Sequence, residues 1–122
     1  MFRVIVAGGR EFNDYELLKR KLDGALVNKV SEGITIVSGA ARGADKLGEQ
    51  YAKERGYTID SHPADWDKFG KSAGYIRNKE MAENADALLA FWDGKSRGTK
   101  HMIDLAQKQG IKVHVVNYGG RR

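Results

Sequence analysis

The chain has 122 residues, no cysteine, a single proline and a formal net charge of +5. That length supports one domain around one core. The lack of cysteine excludes disulfides, thiolate nucleophiles and cysteine-based metal sites, and it fits a reducing cytoplasm. No apolar run is long enough for a signal peptide or a membrane span, so a cytoplasmic location and no membrane partner are expected.

In chain order, a first strand is predicted over Phe2–Ala7, a continuous apolar run that ends in Gly8, Gly9 and Arg10. A helix follows from about Asn13 to Val30, with Asn13 as its cap and Glu16 three residues on. Tyr15, Leu18, Leu22, Ala25 and Leu26 make its apolar stripe. The second strand, Ile34–Val37, runs into Ser38-Gly39-Ala40-Ala41-Arg42-Gly43-Ala44-Asp45 and a helix over Ala44–Arg55. A third strand is predicted at Tyr57–Ser61. The connection Ser61–Ser72 is long for an α/β unit, where 2–6 residues are usual. It carries Trp66 and Phe69, which reads either as a lid or as a cover for an exposed core edge.

The next helix has an inward stripe of Gly74, Asn78, Met81, Ala82 and Ala85, with Arg77 beside it. Burying a cation there is costly without a partner. The partner is either a carboxylate such as Asp86 or Asp93, or a ligand. A fourth strand, Ala87–Phe91, leads into Trp92-Asp93-Gly94-Lys95-Ser96-Arg97-Gly98-Thr99 and a helix over Thr99–Gln109. The fifth strand is Lys112–Val116. Arg121 and Arg122 end the chain.

Strict alternation of strand and helix predicts an α/β fold, a single doubly wound Rossmann-like domain over residues 1–122. Five parallel strands allow the orders 3-2-1-4-5 and 2-1-3-4-5. The first is preferred, because it sets the glycine-rich loops after strands 1 and 4 side by side at the switch point, with the loop after strand 2 next to them.

Glycine accounts for 15 of the 122 residues, well above the usual ~7%. Gly8, Gly9, Gly39, Gly43, Gly94 and Gly98 fall in those three loops. Glycine lets backbone N–H groups approach a phosphate, and a helix N-terminus favours an anion. Gly8, Gly9, Ser38, Gly39, Gly43, Gly98 and Thr99 are therefore candidates to hold phosphate, together with Asp93, Gly94 and Ser96 of the last loop. Arg10, Arg42, Arg77 and Arg97 would supply charge. Asp45 or Asn78 would address a sugar, and Asp45 reads equally as a helix-capping acid or as an orienting partner for Arg42. Trp66 and Trp92 would stack on a base or pack on the sheet edge.

A G-x-G-x-x-G fingerprint and a P-loop are both absent. His62, His101 and His114 lack metal-ligand spacing, so no metal is expected. No catalytic triad or carboxylate pair can be recognised.

The segments VIVAGGREFND, IVSGAARGAD, PADWDKFGKSAGYIRNKEM and ADALLAFWDGKSRGTKHMI together resemble the SLOG superfamily, in particular its YspA or cpYpsA-related branch. The resemblance implies a Rossmann-like fold whose ligand is a nucleotide or a nucleotide derivative, with no established cofactor. From Arg77 onward the chain is also similar to the Lonely-guy phosphoribohydrolases. Arg77, Gly98 and Thr99 match those enzymes, while Met102 stands where they carry a glutamate of the catalytic machinery. The DNA-processing protein DprA, a more distant relative, uses the fold with single-stranded DNA.

The favoured reading is a nucleotide sensor or nucleotide-processing protein. A nucleoside-phosphate N-glycosidase with Asp45, Asp93 or Asp65 as its acid, and a single-stranded nucleic-acid module, are the alternatives. The expected partner is a small-molecule nucleotide, with nucleic acid second; a homo-oligomer is left open.

Overall fold

The computed structural model describes residues 1–118; Arg121 and Arg122 lie outside the described residues. Five strands, β1 (Phe2–Gly8), β2 (Ile34–Ser38), β3 (Thr58–Ser61), β4 (Ala87–Trp92) and β5 (Lys112–Asn117), form one parallel sheet in the order β3-β2-β1-β4-β5. The predicted order and all five strands are present, each boundary within a residue or so of expectation. Register follows directly: Phe2 pairs with Ile34 and Val4 with Ala87.

The three central strands are largely apolar because helices cover both of their faces. Successive side chains of a strand point to opposite faces. Val4 and Val6 therefore join a core with Leu18, Leu22, Leu26, Ile36, Tyr51 and Phe91 beneath α1 (Tyr15–Leu26) and α2 (Ala44–Arg55). Ile5 and Ala7 join the opposite core with Met81, Ala82, Leu88, Met102, Ile103 and Ala106 beneath α4 (Ala73–Glu83) and α5 (Arg97–Gln109). Full burial of a leucine such as Leu18 or Leu22 contributes about 1.5–3 kcal/mol.

Helix ends depart from expectation in three places. The cap of α1 is Asp14, not Asn13: the Asp14 carboxylate accepts from the Leu17 N–H at 3.1 Å. That helix stops at Leu26, not Val30. Leu26 is the last residue of the inward stripe, and Val27 and Val30 are both exposed. Ala25, assigned to the stripe, is exposed too. Finally, α5 starts two residues early, at Arg97, because the Ser96 hydroxyl caps it by accepting from the Thr99 N–H.

The long connection after β3 is not an open loop. It contains a helical turn, α3 (Trp66–Phe69), capped by Asp65, whose carboxylate accepts from the Lys68 N–H at 3.1 Å. A 3-10 turn over Gly70–Ser72 joins it to α4.

Candidate functional site

β1 and β4 lie side by side, and the helices that follow them leave toward opposite faces of the sheet. This is the switch point at which open α/β sheets bind ligands. A cavity of about 400 Å³ opens there. Gly8, Gly9, Arg10 and Glu11 enter it after β1, Ala41 and Asp45 after β2, and Asp93, Ser96, Gly98, Thr99 and Met102 after β4. Arg77, Asn78 and Met81 of α4 and Tyr118 complete the wall. The three glycine-rich loops thus share one cleft. A second cavity of about 330 Å³ shares Arg10, Ala41 and Arg77 with the first, and adds Gly39, Ala40, Arg42, Pro63, Ala64 and Trp66.

Arg77 stands between the two cavities. Its Nε donates to the Asn78 side-chain oxygen at 3.0 Å, and its Nη1 donates to the Gly39 carbonyl at 2.5 Å. Burial lowers its pKa, the charge of Asp45 opposes that shift, and Arg10 adds to it. Neither carboxylate considered as its ion-pair partner is used that way. Asp86 accepts from the Arg3 N–H at 2.9 Å, and Asp93 accepts from the N–H groups of Lys95 and Ser96, both at 2.8 Å. Among the described residues neither Arg10 nor Arg77 is in a salt bridge.

Asp45 lies at the floor of the first cavity and is only 7% exposed. One carboxylate oxygen accepts from the Ala41 N–H at 3.2 Å. Burial pushes its pKa up to about 6, against the opposing pull of that N–H and of Arg77. Asp45 does not orient Arg42, which reaches out instead to Glu11 at 3.0 Å on the surface. A Cβ at Gly39 would lie 2.6 Å from the Arg77 guanidinium and 2.8 Å from the Asp45 carboxylate, so a side chain there would displace these two groups.

Other sequence-selected residues shape the cleft without facing it. Ser38 is fully buried; its hydroxyl donates to Glu49 at 2.7 Å and accepts from the Ala40 N–H at 3.0 Å. Gly43 seats the start of α2 on the first loop, where the Ala44 N–H donates to the Gly9 carbonyl at 3.3 Å. The amide of Ala44 is therefore already occupied.

In the last loop the Asp93 carboxylate takes two amides, which hold its pKa below the usual carboxylate range. Gly94, Arg97 and Trp92 face a separate depression with Tyr75, Lys95, Lys100 and His101. There the Trp92 indole donates to the Ser96 carbonyl at 3.1 Å. Among the described residues, no group of histidines and carboxylates could hold a metal ion, and no helix is long and apolar enough to cross a membrane.

Glu11, Ala41, Met81 and Tyr118 line the cleft but were not selected from the sequence. Met81 carried a usable signal, since it shares the inward stripe with Asn78. Tyr118 carried none. It follows the last strand, and only the fold brings its ring against Phe12 and next to Gly9.

A family model for YspA, cpYpsA-related SLOG proteins matches residues 2–69. The gene 61 protein of Mycobacterium phage D29 is 38% identical over 127 residues, which span 99% of this chain and 99% of that protein. Among solved structures, DNA processing protein A (DprA) from Streptococcus pneumoniae superposes with a TM-score of 0.72 at 16% identity, over 97% of this chain and 50% of that one. TM1055 superposes with a TM-score of 0.67 at 20% identity, over 93% of this chain and 72% of that one. DprA from Helicobacter pylori, described for its single-stranded DNA binding mode, gives 0.68 at 21%, over 93% of this chain and 64% of that one. At these identities the likeness to the solved structures is one of fold, and this chain spans half the length of the pneumococcal protein.

Proposed function

We propose, for a chain that belongs to the YspA, cpYpsA-related SLOG family, that the switch-point cleft binds a nucleotide or nucleotide-derived ligand, so that the protein acts as a nucleotide sensor or nucleotide-processing protein. One observation carries this reading: Arg10 and the half-buried Arg77 both line the two cavities, and among the described residues neither is in a salt bridge. Two guanidinium groups in that state favour a shared anion, and phosphate matches their donor geometry bidentately. Gly8, Gly9 and Gly98 leave the cleft walls free of side chains, and Thr99 adds a hydroxyl.

Charge-assisted contacts are worth about 1.5–3 kcal/mol each. A few of them, less the cost of immobilising the ligand, correspond to roughly micromolar affinity.

A second reading has its own observation. Trp66, Phe69 and Tyr75 are all exposed, beside Lys68 and Lys71, as a stacking surface for single-stranded nucleic acid would require. The H. pylori DprA likeness points the same way. Calorimetric titration of AMP, ADP and a twelve-nucleotide thymidine strand at two salt concentrations separates the two. A mononucleotide that binds with a shallow salt dependence supports the nucleotide reading. Binding of the strand alone, with a steep salt slope, overturns it.

A further inference from the structure

The two cavities differ in chemistry, and the difference narrows the ligand class within the reading just given. The first cavity holds three carboxylates, Asp45, Asp93 and Glu11, beside the side chains of Asn78, Ser96 and Thr99. Of the three only Asp45 is buried, with Asp93 and Glu11 at the exposed rim; a phosphate lodged against Asp45 is repelled, whereas a hydroxyl group can donate to its carboxylate and accept from its neighbours. The second cavity has no carboxylate. It is walled by Ala40, Ala41, Pro63, Ala64 and Trp66, with Arg42 at its edge.

Trp66 is 52% exposed and lines two cavities, so packing alone does not account for its size; a flat aromatic ligand would cover its face. Ala40 holds a left-handed backbone, φ +63, in the wall of this second cavity. Non-glycine residues rarely adopt that conformation, and such outliers gather at ligand sites. Arg10 and Arg77 line both cavities and mark where they join. The two volumes, about 400 and 330 Å³, each lie within the ~300–1,000 Å³ of small-molecule sites.

We infer that the cleft takes a nucleoside diphosphate sugar, with its base against Trp66, its pyrophosphate at Arg10 and Arg77, and its terminal sugar among Asp45, Asp93 and Glu11. The inference rests on the nucleotide-binding reading above and adds the sugar chamber to it. A free nucleoside diphosphate fills only the base and phosphate positions and adds no hydroxyl donor to the single N–H that Asp45 accepts from Ala41.

The test is calorimetric titration of the full chain with two ligand pairs, ADP with ADP-ribose and UDP with UDP-glucose, and with AMP. In at least one pair the sugar-bearing ligand should bind ten-fold or more tightly than the diphosphate. Asp45→Asn should bring that ratio toward one, and Trp66→Ala should weaken both members of the pair by a similar factor. Thermal melts check that the variants are folded. Equal affinity within both pairs, or binding of AMP alone, overturns the sugar chamber while leaving nucleotide binding intact. A ratio that survives Asp45→Asn in a folded protein overturns the assignment of the sugar to the carboxylates. Failure of every nucleotide to bind overturns the underlying reading and this inference together.

Discussion

Arg77 and Asp45 are the residues on which the cleft turns. Arg77→Ala should lower nucleotide affinity at least ten-fold, since a lost charged contact is worth about 1.5–3 kcal/mol. The variant should stay folded: its two hydrogen bonds go to Asn78 and the Gly39 carbonyl, and buried Asp45, which loses the attraction of Arg77, can take up a proton instead. Titration calorimetry with a circular-dichroism melt reads both properties. Asp45 makes a pH-dependent prediction. Its folded pKa, about 6, lies above the ordinary 3.8, so the folded state binds the extra proton. The contribution of Asp45 to stability is therefore greatest below about pH 4, falls as pH rises toward 6, and stays lowered above it. Asp45→Asn removes the buried charge and should stabilise the unliganded protein by about 1–3 kcal/mol at pH 8 and by little at pH 4. Urea melts at the two pH values check this; a larger gain at pH 4 would contradict it. Met102 lines the cleft and can neither give nor take a proton. Acid–base help is typically worth ~10²–10⁴-fold, so nucleoside monophosphates should release no appreciable free base when followed by chromatography. Robust multiple turnover would show that another acid, Asp45 first among them, has taken the role.

At the scale of elements, the site is built where a loop rests on a helix. Gly43 sits at φ +81, ψ −130, a region open essentially to glycine alone. A Cβ there would come within 2.7 Å of the Arg10 carbonyl carbon. Gly43→Ala should cost about 2–4 kcal/mol from strain and overpacking together, read as a lower urea midpoint. Gly24 is the contrast. It lies within α1 and has nothing within 4 Å of its absent side chain, so Gly24→Ala should stabilise by about 0.5–1 kcal/mol through helix propensity. The same contrast explains what could be read in advance. Strands and helix stripes were legible because burial on two faces imposes an apolar run, and burial on one face imposes a 3.6-residue period. Caps were harder, since Asn13 and Asp14 are adjacent and both able to cap, and the helix starts one residue later than the Asn13 reading required.

For the whole molecule, ligand binding adds to stability by mass action. At a ligand concentration one hundred times Kd the gain is about 2.7 kcal/mol, equivalent to roughly 10 °C in Tm for a domain of this length. A thermal-shift series with the preferred nucleotide should rise with concentration on that scale and change little between low and moderate salt. A shift that appears only with long single strands, and collapses as salt rises, would move the protein to the nucleic-acid reading.

The sequence alone determined the alternation of buried strands and amphipathic helices, the preferred sheet order, and the convergence of three glycine-rich loops at one sheet edge. Those features follow from local periodicity and from the handedness of crossovers, which act on every α/β chain alike. Tertiary structure decided how the loops are used. It buried Ser38 beneath Glu49, gave the amides of the last loop to Asp93, turned Arg97 and Trp92 toward another depression, and brought Tyr118 against Gly9. Each outcome depends on distances between segments far apart in the chain, which no local pattern encodes. The convergence of Arg10 and Arg77 is of the same kind: both were visible as cations, but their shared place in the walls of two cavities of different chemistry exists only once the sheet is assembled.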